Sequence, residues 1–389
     1  MRKIKTAVIG TGFMGRVHVE QIRRLSNVEL VAVAAETEDL AAAFRRQMGI
    51  ERTTADYRTL LADPEIQAVH VCTPTATHYQ ISKDAMLAGK HVLCEKPLAV
   101  SSAEALELVG IAQEKNLANC LNHNLRCYPV VQQIRRMRET GALGEVLAVQ
   151  GTYSQDFLLY DTDWKWMVLA KNGGPLCTMA NVGSHWMDMI QHVTGLKITS
   201  LCADLQTFHK TRKRPKGGVA SVPGKTLRPE DYDEIPIDTE DFGAVLLRLG
   251  DRARGAFTAS QVAAGCRNRL QIEVYGTKAG VIWNQERPDE LWIGHRNTSN
   301  EILLKTPALL EEEARSYADL PGGHSEGYES AHKQNFRRFY ATVEDRSAPV
   351  QYATFKDGYQ MARVLEKVLE SARTRSWVDI EPLGAEASA

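Results

Sequence analysis

Five short apolar runs, KTAVIG, VELVAVA, AVHVC, HVLC and ANCLN, punctuate the first third of the chain, with helical patterns between them near residues 14–25, 38–48, 77–88 and 102–115. Runs that are continuously apolar, rather than alternating, suit strands buried on both faces, and the segments between them are long enough for crossovers. The rhythm predicts a doubly wound α/β domain with a parallel sheet of the Rossmann kind. Beyond about residue 126 the pattern changes. EVLAVQGTY, ITSLCADLQ, FGAVLLRL, GAFTASQV, LQIEVYG and GVIWNQ read as strands with few helices between them. An α+β domain with an open, mainly antiparallel sheet is expected there, closed by an amphipathic helix over 354–377.

A chain of 389 residues exceeds what one core usually holds, so the expected division is 1–126 for dinucleotide binding and 127–389 for substrate binding and oligomerisation. Large sheet faces need cover, which points to a homo-oligomer, a dimer or tetramer, through the second domain's sheet. Charge excludes other partners. Lys and Arg total 47 against 48 Asp and Glu, so no global field exists to hold nucleic acid or an anionic membrane. The one basic run, HKTRKRPKGG (209–218), sits among Pro and Gly and reads as a solvated loop. No signal peptide or membrane span is expected from the N-terminal MRKIK-TAVIGTGFMG or from any later stretch. Seven scattered cysteines without a C-x-x-C pair argue for reduced thiols in a cytoplasm, with neither disulfides nor a zinc site.

Gly10-Thr11-Gly12-Phe13-Met14-Gly15 fits G-x-G-x-x-G. It follows a strand and opens a helix, the setting in which such glycines admit a dinucleotide pyrophosphate to a helix N-terminus. The acid that usually reads the ribose should stand about 20 residues on, at Ala35, with Glu36 and Thr37 next. Glu36 can accept the ribose hydroxyls and repel a 2′-phosphate; alternatively it points outward and Thr37 with a distant base accepts NADP. With no Arg or Lys beside it, NAD is favoured and NADP remains possible. A second loop, CTPTATHYQ (72–80), brings Thr73, Pro74, Thr75 and His78 to the cofactor, with Thr75 or Thr77 free to cap the next helix. Glu95, Lys96 and Asn124 end neighbouring strands and should converge on the same crevice.

In LCEKPLAV (93–100) an apolar run ends on Glu95, Lys96 and Pro97. Pro97 keeps Lys96 out of helical φ/ψ and can take a cis bond. A lysine beside an oxidised nicotinamide loses its proton more readily and can accept or relay a hydroxyl proton as hydride leaves. In isolation, E-K-P would read as a surface lysine paired with Glu95.

The glycine loop, TPTATH, GKHVLCEKPLA, NHNLRCYP and GGPLCTMANVGSHWMDMIQHVTG together resemble, in order, the glucose–fructose oxidoreductase/inositol dehydrogenase (Gfo/Idh/MocA) family over residues 5–130 and 145–195, and more loosely to about 375. YSQDFLLYDTDWKW (153–166) resembles a branch acting on inositols, anhydro-sugars and glycosides. The resemblance implies nicotinamide-dependent oxidation of a secondary hydroxyl on a sugar or polyol. It makes Lys96 the catalytic lysine, whose Lys-Pro bond is often cis in the family. It aligns the family's Asp-x-x-x-His with Asn181 and His185, so the histidine matches and the aspartate does not.

Tyr153, Gln155, Asp156 and Asp163 are candidates for sugar hydroxyls, as is Arg126, and His324 sits in a glycine-rich loop that could cover the site. Trp164 and Trp166 either stack on a sugar face or serve the core. His185, Asp188 and His192 could share a helix face, yet no third-ligand cluster supports a metal, and none is expected. Two other functions stay open: a sugar oxidoreductase with tightly held NADP, and a non-catalytic nicotinamide-binding sensor.

Overall fold

The computed structural model describes residues 3–218 and 227–383. Its first unit comprises the chain up to Cys127 together with Tyr328–Ala362. Six strands, β1 (Ile4–Ile9), β2 (Val28–Ala34), β3 (Thr53–Thr54), β4 (Ala68–Val71), β5 (His91–Cys94) and β6 (Asn119–Leu121), form one sheet in the order β3-β2-β1-β4-β5-β6. All pairings in it are parallel. The crossovers are α1 (Phe13–Ile22), α2 (Glu38–Met48), the single turn α3 (Arg58–Leu61), α4 (His78–Leu87) and α5 (Ser102–Glu114). Alternate residues feed opposite cores, which is why the runs are continuously apolar. Ala7, Val69 and Val92 enter one core, and Val8, Ala68 and Leu93 the other. Strand order reverses between β1 and β4, where a doubly wound sheet opens its ligand crevice.

The expected continuous second domain, 127–389, needs correction. The helix Tyr328–Glu344 returns to the first unit, where Phe336, Phe339 and Tyr340 complete a core with Val8, Val19 and Leu93.

The second unit comprises Tyr128–Gly327 and Arg363–Pro382. It contains β7 (Val146–Ser154), β8 (Ile198–Gln206), β9 (Thr211–Pro215), β10 (Tyr232–Pro236), β11 (Phe242–Leu249) and β12 (Ala253–Ser260). These are followed by β13 (Arg269–Gly276), β14 (Gly280–Asn284), β15 (Glu290–Gly294), β16 (Glu301–Leu304) and β17 (Val378–Asp379). Nine of the strands make a sheet ordered β16-β15-β14-β13-β7-β12-β11-β8-β17. Only β12 and β7 run parallel in it. The expected amphipathic helix is Phe355–Thr374.

The basic run at 209–218 is not a solvated loop. Its residues Thr211–Pro215 are β9, paired antiparallel with β10. Arg212 is buried, donates to the carbonyls of Leu158 and Tyr160 at 3.0 and 2.9 Å, and lies 3.4 Å from Asp241. An apolar stem and a five-donor head let one arginine hold several carbonyls inside a fold. Among the described residues, no helix is long and apolar enough to cross a membrane.

Candidate cofactor and catalytic residues

Three glycines shape the loop after β1, each for a different reason. Gly10 has φ +113°, and a Cβ there would lie 2.5 Å from the Cys72 carbonyl oxygen, so the loops following β1 and β4 touch backbone to backbone. A Cβ on Gly15 would meet the Gly10 oxygen at 2.0 Å, which lets α1 pack down on the loop. Gly12 is different. Its Cβ would meet nothing within 4 Å, so no atom of the protein demands glycine at the position that starts α1. A first helical turn leaves N–H groups unpaired, and the empty space around a Cβ at this N-cap leaves room for a phosphate close to the backbone. The cradle fits a dinucleotide pyrophosphate.

Phe13 is exposed, with the Arg16 guanidinium 5.9 Å from its ring centre. Met14 accepts a hydrogen bond from the Tyr328 hydroxyl at 3.4 Å on sulfur. At the end of β2, Thr37 accepts from the Leu40 N–H at 3.3 Å and so caps α2. Glu36 stands exposed beside it.

The loop after β4 departs from expectation in two ways. Neither Thr75 nor Thr77 caps a helix through its side chain; Thr77 donates instead to the Pro74 carbonyl at 2.8 Å. Thr75 is buried, while Thr73 is half-buried and Pro74 exposed. His78, expected at the cofactor, is also buried, with one ring nitrogen 2.8 Å from the Thr73 carbonyl and the other 2.7 Å from that of Pro97. Both nitrogens are committed, so His78 braces two loops rather than offering a ligand atom.

The Lys96–Pro97 bond is cis. Lys96 is half-buried, and its backbone N–H donates to Glu95 Oε2 at 3.3 Å. Glu95 is buried and heads a polar chain that sequence reading missed. His18 Nε2 lies 2.9 Å from Glu95 Oε1, and the Asn122 amide donates to the same oxygen. His18 Nδ1 lies 2.8 Å from His70 Nδ1, and His70 Nε2 lies 2.8 Å from the Tyr340 hydroxyl. Tyr340 is 2.8 Å from Thr6 Oγ1, itself 2.9 Å from the Ala68 carbonyl. Burial pushes the Glu95 carboxyl up, but His18, then His332 and Asn122, outweigh it and bring it down to about 2. Burial forces His70 well below its ordinary value and His332 down to about 4. A lone histidine inside AVHVC was the available signal, since a buried polar group implies a partner.

Asn124 and Arg126 are committed inside the first unit. Buried Asn124 contacts His332 Nδ1 at 3.1 Å, and Arg126 pairs with Asp357 at 3.1 Å. Burial pushes Asp357 up, yet Arg126 and the Thr354 donors hold its carboxyl below the usual range.

In the second unit, Asn181 lies in a π-helical turn, Met179–Gly183, that runs into the helix Ser184–Thr194 carrying His185. Such wide turns recur at functional sites. Glu240 accepts the N–H groups of Cys177 and Met179 at 2.9 and 2.7 Å, capping this segment from inside, and burial lifts its carboxyl to about 7. The His185 ring lies 6.2 Å from that of Tyr153. Tyr153 and Gln155 both donate to Asn268 Oδ1 at 2.8 Å, so Asn268, unremarked in the sequence, anchors this cluster. Asp156 pairs with Arg267 at 2.8 Å.

Other candidates lie elsewhere in the second unit. Asp163 accepts the Tyr160 N–H of its own turn at 2.8 Å. Trp164 packs on the small core of Leu158, Val168 and Cys177 with Arg214 6.0 Å from its ring, while Trp166 is 40% exposed. His192 contacts Gln132 at 3.0 Å. His324 is exposed, in a loop whose carbonyl receives Lys305 Nζ at 2.8 Å.

Residues 4–123 match the family model of the Gfo/Idh/MocA oxidoreductases with an NAD-binding Rossmann fold, and residues 131–282 match the Gfo/Idh/MocA C-terminal domain. The levoglucosan dehydrogenase of Pseudarthrobacter phenanthrenivorans is 28% identical over 99% of this chain and 100% of its own. A levoglucosan dehydrogenase solved in complex with NADH and L-sorbose has TM-score 0.88 at 26% identity, over 98% of this chain and 100% of that one. An inositol dehydrogenase homologue from Azotobacter vinelandii, complexed with NAD+, gives 0.84 at 26% identity over 97% and 98%. The parallel sheet ordered β3-β2-β1-β4-β5-β6, the glycine cradle at its reversal point and the successive match of both domain models place the chain in the Gfo/Idh/MocA family of NAD-binding oxidoreductases.

Proposed function

We propose that the protein oxidises a secondary hydroxyl of a sugar, glycoside or cyclic polyol, with Lys96 accepting the hydroxyl proton and His185 assisting. One observation carries the reading: Lys96 follows the end of β5 by two residues, on the strand next to β4, in a sheet whose reversal point lies between β1 and β4 and whose glycine loop fits a dinucleotide. The coenzyme, when bound, supplies the hydride acceptor. The chain's part is to seat its phosphates on α1, to read its ribose through Glu36, and to hold an amine where a proton must go. A neutral amine is required for that, and a like charge or desolvation lowers a lysine toward it. Tyr153, Gln155 and Asp156 are proposed as hydroxyl partners beside His185. The test is a panel of cyclic polyols and sugars, headed by levoglucosan and the inositols, followed by NADH absorbance. No turnover across the panel would favour a non-catalytic sensor instead.

NAD is proposed over NADP, because Thr37 is spent on its helix and Glu36 presents an open carboxylate. NADH should bind at least about tenfold more tightly than NADPH, the size of a carboxylate–phosphate repulsion near a surface. Dissociation constants that are equal, or tighter for NADPH, contradict this.

Asn181 is proposed to orient the substrate hydroxyl while His185 stays neutral. A carboxylate in its place would stabilise an imidazolium, which a carboxamide cannot do. Asn181→Asp should therefore shift the acidic limb of the kcat/KM profile and change turnover, up or down, by more than about tenfold. Superimposable pH profiles would remove Asn181 from the mechanism.

We also propose a cytoplasmic homo-oligomer, a dimer or tetramer through the sheet of the second unit. Its seven cysteines are free thiols, and Leu147 on β7 and Leu246 on β11 are exposed.

A further inference from the structure

Three buried side chains that the proposed reaction does not use point at one another inside the first unit. His18 is on α1, Glu95 follows β5, and His332 is on the helix Tyr328–Glu344. One carboxylate oxygen of Glu95 and one nitrogen of each ring lie within 4.8 Å of one another, and the two ring centres are 6.1 Å apart. The three are scattered over the chain, so no ligand spacing announced them.

Hydrogen-bond directions decide what these atoms present. Tyr340 donates to Thr6, which donates to the Ala68 carbonyl, so the Tyr340 oxygen accepts from His70 Nε2. Burial keeps His70 neutral, and its Nδ1 is then a lone pair that receives a hydrogen from His18 Nδ1 at 2.8 Å. A neutral His18 is bare at Nε2, where it faces Glu95 Oε1 at 2.9 Å. Asn122 agrees with a lone pair there: its oxygen accepts from Asn335, and its Nδ2 stands 3.2 Å from His18 Nε2. His332 repeats the pattern. The nearest partner of its Nδ1 is the Tyr328 carbonyl at 2.9 Å, with Asn124 Nδ2 farther off at 3.1 Å. A carbonyl only accepts, so Nδ1 carries the hydrogen and Nε2 is bare. That Nε2 is buried and makes no hydrogen bond among the described residues. A carboxylate and two imidazole lone pairs facing one another inside a fold cost free energy unless a cation joins them.

We propose that His18, Glu95 and His332 bind one divalent first-row metal ion, with zinc the best fit. Two imidazoles and a carboxylate suit zinc, whereas magnesium and calcium take oxygen ligands. Bonds of about 2.0–2.1 Å set tetrahedral ligand atoms about 3.3 Å apart. His18 Nε2 and Glu95 Oε1 are within a few tenths of an ångström of that spacing, and His332 Nε2 needs to move by no more than about 1.5 Å. Water takes the ion's remaining position. The surrounding bonds are those that orient metal ligands. Each imidazole donates its other N–H, His18 to His70 and His332 to the Tyr328 carbonyl, and Glu95 Oε2 accepts the Lys96 N–H. The ion compensates the buried carboxylate and ties together α1, the Lys96 turn and the returning helix.

The test strips the full-length protein with a chelator and titrates it with Zn²⁺ alone. One equivalent per chain should bind and raise the melting temperature, as any ligand of the folded state does. His332→Ala should weaken that binding by at least about a hundredfold, more than losing an outer hydrogen-bond partner costs. Glu95→Gln, which keeps the shape and removes the charge, should do the same. X-ray absorption at the zinc edge of the wild-type protein needs no variant to fold. It should show nitrogen and oxygen neighbours at about 2.0–2.1 Å with the outer scattering of imidazole. Sulfur at about 2.3 Å would assign the ion to cysteines and overturn the proposal. So would a protein that takes up no zinc, or variants that bind it as tightly as the wild type. None of these outcomes touches the dehydrogenase reading, since no step of that reaction passes through the ion.

Discussion

Lys96→Ala is expected to lower kcat by about 10²–10⁴ while NADH binds nearly as before, the range for removing one general base from an otherwise intact site. Lys96 follows β5 by two residues, and its backbone N–H donates to Glu95. Alanine keeps that backbone and removes only the amine, so the loss should fall on kcat rather than on coenzyme affinity. Lys96→Arg should not rescue turnover, because a guanidinium keeps its proton at any working pH. Turnover near wild type in either variant would reduce the Glu-Lys-Pro turn to a structural element.

The second large effect separates two glycines. At Gly12 a methyl group meets no protein atom within 4 Å, and φ is −73°, which alanine adopts readily. Gly12→Ala should therefore melt within a few degrees of wild type, yet weaken NADH binding by about tenfold to a thousandfold, because the methyl occupies the phosphate's approach. Gly10→Ala should do the reverse first. Its positive φ and the 2.5 Å approach to the Cys72 oxygen mean the loops of β1 and β4 must part, at a cost of about 2–4 kcal/mol of stability. Thermal melts and NADH titrations of both proteins check this. Wild-type NADH affinity in Gly12→Ala would mean that the loop does not seat the phosphates.

The parallel sheet was legible because strands buried on both faces leave unbroken apolar runs, and because Gly10, Gly12 and Gly15 stand between a strand and a helix. The polar chain behind Glu95 was not. His18 and His70 announce that a buried group needs a partner, but Tyr340 lies 270 residues from His70 and no periodicity connects them. The same distance in sequence hid the return of Tyr328–Ala362 to the first unit. Arg212 was misjudged because Pro and Gly in its neighbourhood outweighed β9 in the pattern, whereas buried carbonyls decided its place. The wide turn at Met179–Gly183 likewise depends on Glu240, about 60 residues away in sequence.

The central claim is hydride transfer from a carbinol carbon to NAD. It is tested most directly with the best substrate of the panel, deuterated in turn at each ring carbon bearing a secondary hydroxyl, with mass analysis of the coenzyme formed. One position should deliver one deuterium to each coenzyme molecule reduced, and the sugar product should carry a carbonyl at that carbon. Consumption of the sugar with no deuterium on the coenzyme from any position would contradict the account.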